Sequence, residues 1–301
     1  MQRSSPGQEA MDDKNPYHIN SAPLVSVLMT SYNREKYIAE AIDSVLCSSY
    51  RDFELIIVDD GSKDRTIEIA RQYAGKDQRV KVYLNEQNLG DYPNRNKAAS
   101  YATGKYLKYV DADDLIYPWG LELLVQMMEK FPDAGWGLCS LEQDRNRIFP
   151  FELGPKEAYE YNFFGPGLFL KAPLSSIIKR EIFEQSGGFA PLRMVGDYEM
   201  WHRLARNFPV VLMPHGIVWY REHSEQEMNS HSQFLGIYEG IKIKYLLAEN
   251  CPLDSQAVNT ILDSSKRHWK REVLKGMIRF DMKGIKLAFS RLHQYKNARK
   301  A

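Results

Sequence analysis

The sequence predicts an α/β fold: a Rossmann-like, mostly parallel, twisted sheet flanked by helices and followed by a C-terminal helical extension. Three observations predict it. Short apolar runs alternate with stretches of helical spacing between residues 24 and 141. Several of those runs end on polar clusters, as strands feeding a ligand-binding rim do. Beyond Ser230 the pattern becomes helical throughout.

Residues 24–30, Leu-Val-Ser-Val-Leu-Met-Thr, form an unbroken apolar run, the signature of a strand buried on both faces. Tyr37, Ile38, Ala41, Ile42, Val45 and Leu46 then recur at helical spacing. Residues 54–58 make a second strand that ends on Asp59-Asp60-Gly61-Ser62, a turn rich in backbone-bonding side chains. A helix is expected over Lys63–Tyr73, a strand over Val80–Leu84, and a helix over Tyr92–Tyr101 with Pro93 in its first turn. The strand at Tyr106–Val110 runs into Asp111-Ala112-Asp113-Asp114. Pro118–Phe131 reads as a helix and Gly135–Leu141 as a strand.

After Pro150 the pattern loosens, and Gly165-Pro166-Gly167 and Ser186-Gly187-Gly188 mark loops. A helix is expected at Val195–Asn207 and short strands at Val210–Met213 and Ile217–Tyr220. Three helices close the chain at Phe234–Glu249, Ser255–Met277 and Ile285–His293. The organisation read from this is a polar lead-in at 1–21, a main domain at 22–230 and a basic helical extension at 231–301.

With 301 residues, 44% hydrophobic and 26% charged, the chain suits one large domain with an appendage. Cys47, Cys139 and Cys251 are too far apart for a zinc or disulfide framework and suggest a reducing compartment. No apolar run reaches the roughly 18–20 residues that cross a bilayer. The expected location is cytoplasmic, or peripheral at the inner face of the cell membrane. The net charge of +1 is uneven: residues 266–301 hold twelve Lys or Arg against two Asp or Glu, so the body is acidic and the tail basic. The basic residues lack the aromatic interleaving of a nucleic-acid surface, and no nucleic acid is expected as a partner. GxGxxG after a strand, GxxxxGK[ST], HExxH and GxSxG are all missing.

Asp111, Asp113 and Asp114 crowd one strand end. Carboxylates this close repel unless a cation neutralises them. Mg²⁺ and Mn²⁺ take oxygen ligands, usually one or two carboxylates plus substrate phosphates. An Asp-rich turn can also simply cap the next helix. Asp60 is placed to accept a hydrogen bond from a base or ribose, Tyr32 to stack on a base, and Arg95 to pair with phosphate. Asp197, at a helix start, is either an N-cap or a general base that deprotonates a hydroxyl. His223, after Tyr220-Arg221-Glu222, is a metal or phosphate ligand or a surface histidine.

The ordered set Val-Ser-Val-Leu-Met-Thr-Ser-Tyr-Asn-Arg (25–34), Ile-Val-Asp-Asp-Gly-Ser (57–62), Asn-Leu-Gly (88–90), Arg95-Asn96 and Val-Asp-Ala-Asp-Asp (110–114) resembles glycosyltransferase family 2. The likeness continues through Gly187-Gly188-Phe189, Gly196-Asp197-Tyr198-Glu199 and Tyr220-Arg221-Glu222-His223, and covers roughly residues 22–230. It implies a GT-A fold and an inverting transfer from a nucleotide-diphosphate sugar, with a UDP-sugar favoured, to a hydroxyl acceptor in cell-surface polysaccharide or glycolipid synthesis. Carried over by motif, Thr30, Tyr32 and Arg34 line the donor site and Asp60 bonds the base. Arg95 sits near base or diphosphate, and Asp111 bonds ribose. Asp113 holds the metal, Mn²⁺ or Mg²⁺, with Asp114 sharing either task. Asp197 is the base and His223 a metal or phosphate contact. Related enzymes often show Glu-Asp where this chain has Gly196-Asp197, so one expected carboxylate is missing.

Two other readings compete. A nucleotidyltransferase making nucleotide sugars would carry a glycine-rich loop after the first strand, and Ser31-Tyr32-Asn33-Arg34 has no glycine. A non-catalytic sugar-nucleotide-binding module would not need Asp113 and Asp197. In the tail, Trp269, Val273, Met277, Ile285, Leu287 and Phe289 alternate with Lys and Arg. That is the pattern of an amphipathic membrane-surface helix, or of a charged helix that closes the domain or an oligomer interface. The partners expected are a nucleotide-sugar donor, a glycan or lipid-linked acceptor, a membrane surface and a second copy of the chain.

Overall fold

The two longest apolar runs of the N-terminal half become adjacent strands, because a strand with no polar face must be covered on both sides. The computed structural model describes residues 25–223 and 231–297. The expected lead-in at 1–21, and the expected boundary at 230, lie outside the described residues. The strands are β1 (Val25–Ser31), β2 (Phe53–Asp59), β3 (Val80–Leu84), β4 (Tyr106–Tyr109), β5 (Leu115–Ile116), β6 (Trp136–Leu141), β7 (Phe151–Leu153), β8 (Ser176–Lys179), β9 (Val210–Pro214) and β10 (Val218–Trp219). The first four helices are α1 (Ile38–Leu46), α2 (Thr66–Ala74), α3 (Asp91–Ala99) and α4 (Gly120–Glu129). After them come α5 (Pro155–Phe164), α6 (Arg180–Gln185), α7 (Gly196–Asn207), α8 (His231–Leu246), α9 (Ser255–Arg279) and α10 (Met282–Asn297).

Eight strands form one sheet in the order β3-β2-β1-β4-β8-β6-β9-β7, and β10 pairs with β5 as a separate ribbon. Strands β3, β2, β1 and β4 run parallel to one another, as do β6 and β9. Strand β8 enters antiparallel between β4 and β6, and β7 runs antiparallel to β9. Strands β7 and β8 and helices α5 and α6 fill the stretch where the sequence pattern loosens. Ser-Ile-Ile-Lys of β8 is too short to show a period, yet it is the strand that joins the two halves of the sheet.

Alternate residues of β1 and β2 serve the two faces, as the period of a strand requires. Val25, Val27, Met29, Leu55 and Ile57 pack with α1, through Ile38, Ala41 and Ile42, and with α4, through Leu121, Leu124 and Met128. Leu28, Ile56 and Val58 face a second core built with Ala98 of α3, Trp201 of α7 and residues of α8, α9 and α10. Trp136 of β6 stacks on Trp201 of α7 at 5.3 Å and 9°. Such a pair adds about 0.5–1.5 kcal/mol beyond its buried area. The three layers leave the carboxyl ends of β1, β2 and β4 at one rim.

Candidate active site

Three turns leave that rim, and side chains lock them to one another. Asp59, at the end of β2, is fully buried and accepts from Ser31 Oγ (3.0 Å), Ser62 N (2.8 Å) and Ser62 Oγ (2.5 Å). Asn33 stands at φ 53, a left-handed conformation that asparagine tolerates. Its N–H donates to Ser62 Oγ and its Oδ1 accepts from Lys63 N, both at 2.8 Å. Thr30 is the second-last residue of β1, and Tyr32 projects from the turn with 45% of its surface exposed. Asp60 is buried and already accepts from Asn85 Nδ2 (2.8 Å), Leu89 N (2.8 Å) and Gly90 N (2.9 Å). It therefore holds the Asn88-Leu89-Gly90 loop against the rim.

The acidic turn after β4 brings four expected site residues together. Asp113 Oδ2 accepts from Arg34 Nε at 2.8 Å and lies 3.0 Å from His223 Nε2. The imidazole packs at 4.8 Å from the Tyr37 ring. Asp114 is buried and accepts from Arg221 N at 2.9 Å. Burial, and next the Asp111 charge, push the Asp114 carboxyl well above the usual carboxylate range. Arg221 ties the β10 exit to this turn: its Nε donates to the Asp113 carbonyl at 2.8 Å and its Nη2 to Glu40 Oε2 at 2.6 Å. An open cleft of about 570 Å³ beside the turn is lined by Tyr37, Trp219, Tyr220, Arg221, Glu222 and His223.

Arg95, expected near base or diphosphate, is buried with its guanidinium engaged by two carboxylates. Nη1 and Nη2 grip Asp111 at 2.6 and 3.0 Å, and Nε bonds Asp91 Oδ1 at 2.7 Å. The planar guanidinium makes this two-point grip possible. Arg95 thus orients Asp111. Asp91 and the buried Lys108 went unnoticed in the sequence. Lys108 donates to the Leu174 and Ser176 carbonyls, and burial lowers its ammonium to about 8. A lysine inside the apolar string Tyr-Leu-Lys-Tyr-Val was the available signal.

Asp197 sits in the first turn of α7, and Val195 is the N-cap residue. The carboxylate accepts from Tyr198 N at 2.7 Å, and burial pushes it up to about 6 despite that bond, the Tyr92 hydroxyl and the Arg95 charge. Tyr92 went unremarked as a site residue. Its ring fills the space in front of Gly196, where a Cβ would meet ring carbons at 2.7 Å and the Ala190 carbonyl at 2.8 Å. That packing leaves no room for a side chain at the first position of the Gly196-Asp197 pair. Helix α3 links the two places: Arg95 grips Asp111, and Tyr92 packs against Gly196 at the start of α7.

Hard divalent cations take one or two carboxylates plus substrate phosphates, and Asp113 is a carboxylate of that kind. Its Oδ2 is shared by the Arg34 guanidinium and the His223 ring, so a cation there would take the place of Arg34. Among the described residues no group of three or more His, Cys, Asp or Glu is placed to hold a metal ion.

The family model for "Glycosyl transferase family 2" matches residues 26–187. Asp197 and His223 lie past that stretch. TuaG of Bacillus subtilis, named for teichuronic acid biosynthesis, is 42% identical over 141 residues, covering 46% of this chain and 55% of TuaG. The chain spans 41% and 66% of the length of two further curated relatives. TarS of S. aureus, solved with UDP-GlcNAc, superposes with a TM-score of 0.68 at 20% identity, covering 91% of this chain and 81% of that one. The mannosyltransferase PcManGT of Pyrobaculum calidifontis, solved with GDP-Man and Mn²⁺, superposes with a TM-score of 0.60 at 17% identity, covering 92% and 86%. These superpositions establish a GT-A fold. With the sequence match over more than half its length, the chain belongs to glycosyltransferase family 2.

Proposed function

We propose that the chain is an inverting glycosyltransferase. It moves a sugar from a nucleotide-diphosphate sugar, a UDP-sugar by preference, to a hydroxyl of a glycan or lipid-linked acceptor in bacterial cell-surface polysaccharide or glycolipid synthesis. The observation that carries this is the convergence of Asp113 and His223 at 3.0 Å on the rim that also bears Asp197.

Asp197 takes the proton of the acceptor hydroxyl as its oxygen attacks the anomeric carbon, on the face opposite the diphosphate. A carboxyl titrating near 6 is basic enough to take that proton and still ionised at neutral pH. Asp113 and His223 would hold Mn²⁺ or Mg²⁺, which would supply charge neutralisation for the departing diphosphate. Thr30 and Tyr32 bound the base pocket. Asp60 accepts from the base; a carboxylate offers about four acceptor sites, and three are already used. Asp111, held by Arg95, bonds the ribose, and Asp114 steadies the turn. Arg34 faces the diphosphate once a cation takes Asp113. The open cleft at Tyr37, Trp219 and Tyr220 offers aromatic faces to the acceptor. The protein works in the cytoplasm, at the inner face of the cell membrane.

A thermal-shift panel of nucleoside diphosphates, with and without Mn²⁺, tests the reading. One base should stabilise the protein, and only with the metal present. Equal shifts for every nucleotide, indifferent to metal, would sink it.

A further inference from the structure

Helices α9 and α10 pack as a hairpin whose tip carries side chains that a water-facing turn does not need. Leu274, Met277, Ile278, Phe280, Met282 and Phe289 are all exposed, Ile278 at 71% and Phe280 at 89%. Four of these six lie within the six residues 277–282. Leu274 and Ile278 are one helical turn apart and so share a face, as do Met282 and Phe289 two turns apart. The inner sides of the hairpin are accounted for separately: Trp269 and Val273 are buried, and a Cβ at Gly276 would meet Ile285 Cγ1 at 2.7 Å. At the corner Phe280 adopts φ 56, the left-handed position that glycine usually fills, so a large aromatic is displayed where no side chain is required.

The surroundings of the tip are cationic. Lys270, Arg271, Lys275, Arg279, Lys283 and Lys286 are exposed around the apolar patch. Glu272 and Asp281 are the only acids between residues 266 and 297. Glu272 is bonded to Lys275 at 2.6 Å and Asp281 to Gly284 N at 2.9 Å. A second copy docked tip to tip would set these cations against one another. An anionic bilayer complements both parts of the surface, headgroups taking the Lys and Arg while the apolar tip enters the acyl boundary. No described helix is long and apolar enough to cross a membrane, so the element lies on the surface.

We infer that the α9–α10 tip is a membrane-docking element that inserts Phe280, Ile278 and Met282 into an anionic lipid surface. The inference deepens the proposed work at the membrane face, yet it is tested without donor, acceptor or cation, so its failure leaves the transfer reading standing.

The test is flotation of the full chain with vesicles of phosphatidylcholine alone and of phosphatidylcholine with an equal part of phosphatidylglycerol. Phe280→Gly suits the left-handed corner and keeps the hairpin folded. Lys275→Glu with Arg279→Glu removes the charge attraction. The wild type should float with the anionic vesicles and hardly with the neutral ones. Phe280→Gly should weaken partition about tenfold or more, the effect of losing one large buried side chain. The double charge reversal should abolish the preference for phosphatidylglycerol. The inference is overturned if the wild type ignores anionic vesicles, or if Phe280→Gly floats as well as the wild type. It is also overturned if sedimentation shows a dimer that Phe280→Gly dissociates, which would assign the tip to a second copy.

Discussion

His223 Nε2 stands 3.0 Å from Asp113 Oδ2, although 110 residues separate them in the chain. The β5–β10 ribbon and the Arg221 clamp bring them together. If this pair holds the cation, His223→Ala should remove most of the Mn²⁺-dependent part of the thermal shift with a nucleoside diphosphate. The shift seen without metal should remain. A variant whose metal-dependent shift equals the wild type would unseat His223 as a ligand.

Asp197→Asn should leave donor binding intact and reduce turnover by about 10²–10⁴, the range for a positioned general base. In the wild type the acid limb of kcat/KM against pH should fall near 6, where burial has pushed the carboxyl. Its ordinary value is 3.8, so its effect on folding has a definite direction. The contribution favours the fold below pH 3.8 and is lost as pH rises through 6. At pH 8 the asparagine variant should therefore be the more stable, by up to about 3 kcal/mol at 1.36 kcal/mol per pK unit and less where water reaches the group. Unchanged turnover would discard Asp197 as the base.

Gly196→Glu would install the carboxylate that the family resemblance leads one to expect, but its Cβ collides with Tyr92 at 2.7 Å. Overpacking of this kind costs about 1–3 kcal/mol. Pairing it with Tyr92→Ala should recover part of the loss, and a double-mutant cycle in urea measures the coupling. Strictly additive effects would show that the ring is not the obstacle.

Arg95→Lys keeps the charge but cannot span Asp91 and Asp111 with a planar fork. The expected result is a raised KM for the donor with Asp111 released, and a stability loss of up to about 3–5 kcal/mol, as for broken buried ion pairs. A donor KM equal to that of the wild type would argue against an orienting role.

Glu54, at the opposite end of the sheet, accepts from Ser26 Oγ, Thr103 N and Oγ1, and Lys81 Nζ. Burial works against its charge, but these donors outweigh it and hold the carboxyl at about 2 instead of 4.5. Its support is present above pH 4.5 and fades as pH falls toward 2. Glu54→Ala should cost about 1–3 kcal/mol at neutral pH by stranding those donors, and should shrink the difference from wild type in acid denaturation.

The rim was legible because its chemistry is local in sequence. The runs before Thr30, Asp59 and Asp111 are apolar apart from Ser26, Glu54 and Lys108, so both their type and the direction of their polar ends could be read directly. Val80–Leu84 appears as expected to the residue. The helix expected from Pro118 begins at Gly120, because Tyr117 and Trp119 stack at 5.3 Å in the preceding turn and Trp119 Nε1 bonds the Gly216 carbonyl at 2.8 Å. What could not be read depends on distant partners. β8 has four residues, and its neighbours β4 and β6 decide its place. Tyr92 gains its meaning only from Gly196, and Lys108 only from the Leu174 and Ser176 carbonyls.

Helix α8 follows the last motif of the family, yet it grips the helix that bears Asp197. Tyr245 donates to Glu199, Tyr238 donates to the Met194 carbonyl at 2.9 Å, and the rings of Tyr198 and Tyr238 meet edge to face at 4.9 Å. The start of α7, with Asp197, is thus braced from behind by the same set of C-terminal helices whose far end bears the exposed apolar tip. A protein shortened after residue 230 would keep every motif residue and lose the brace, so motif content alone would overstate what such a fragment can do. Tyr238 and Tyr245 make the placement of the Asp197 carboxylate depend on residues that lie outside the motif-bearing stretch.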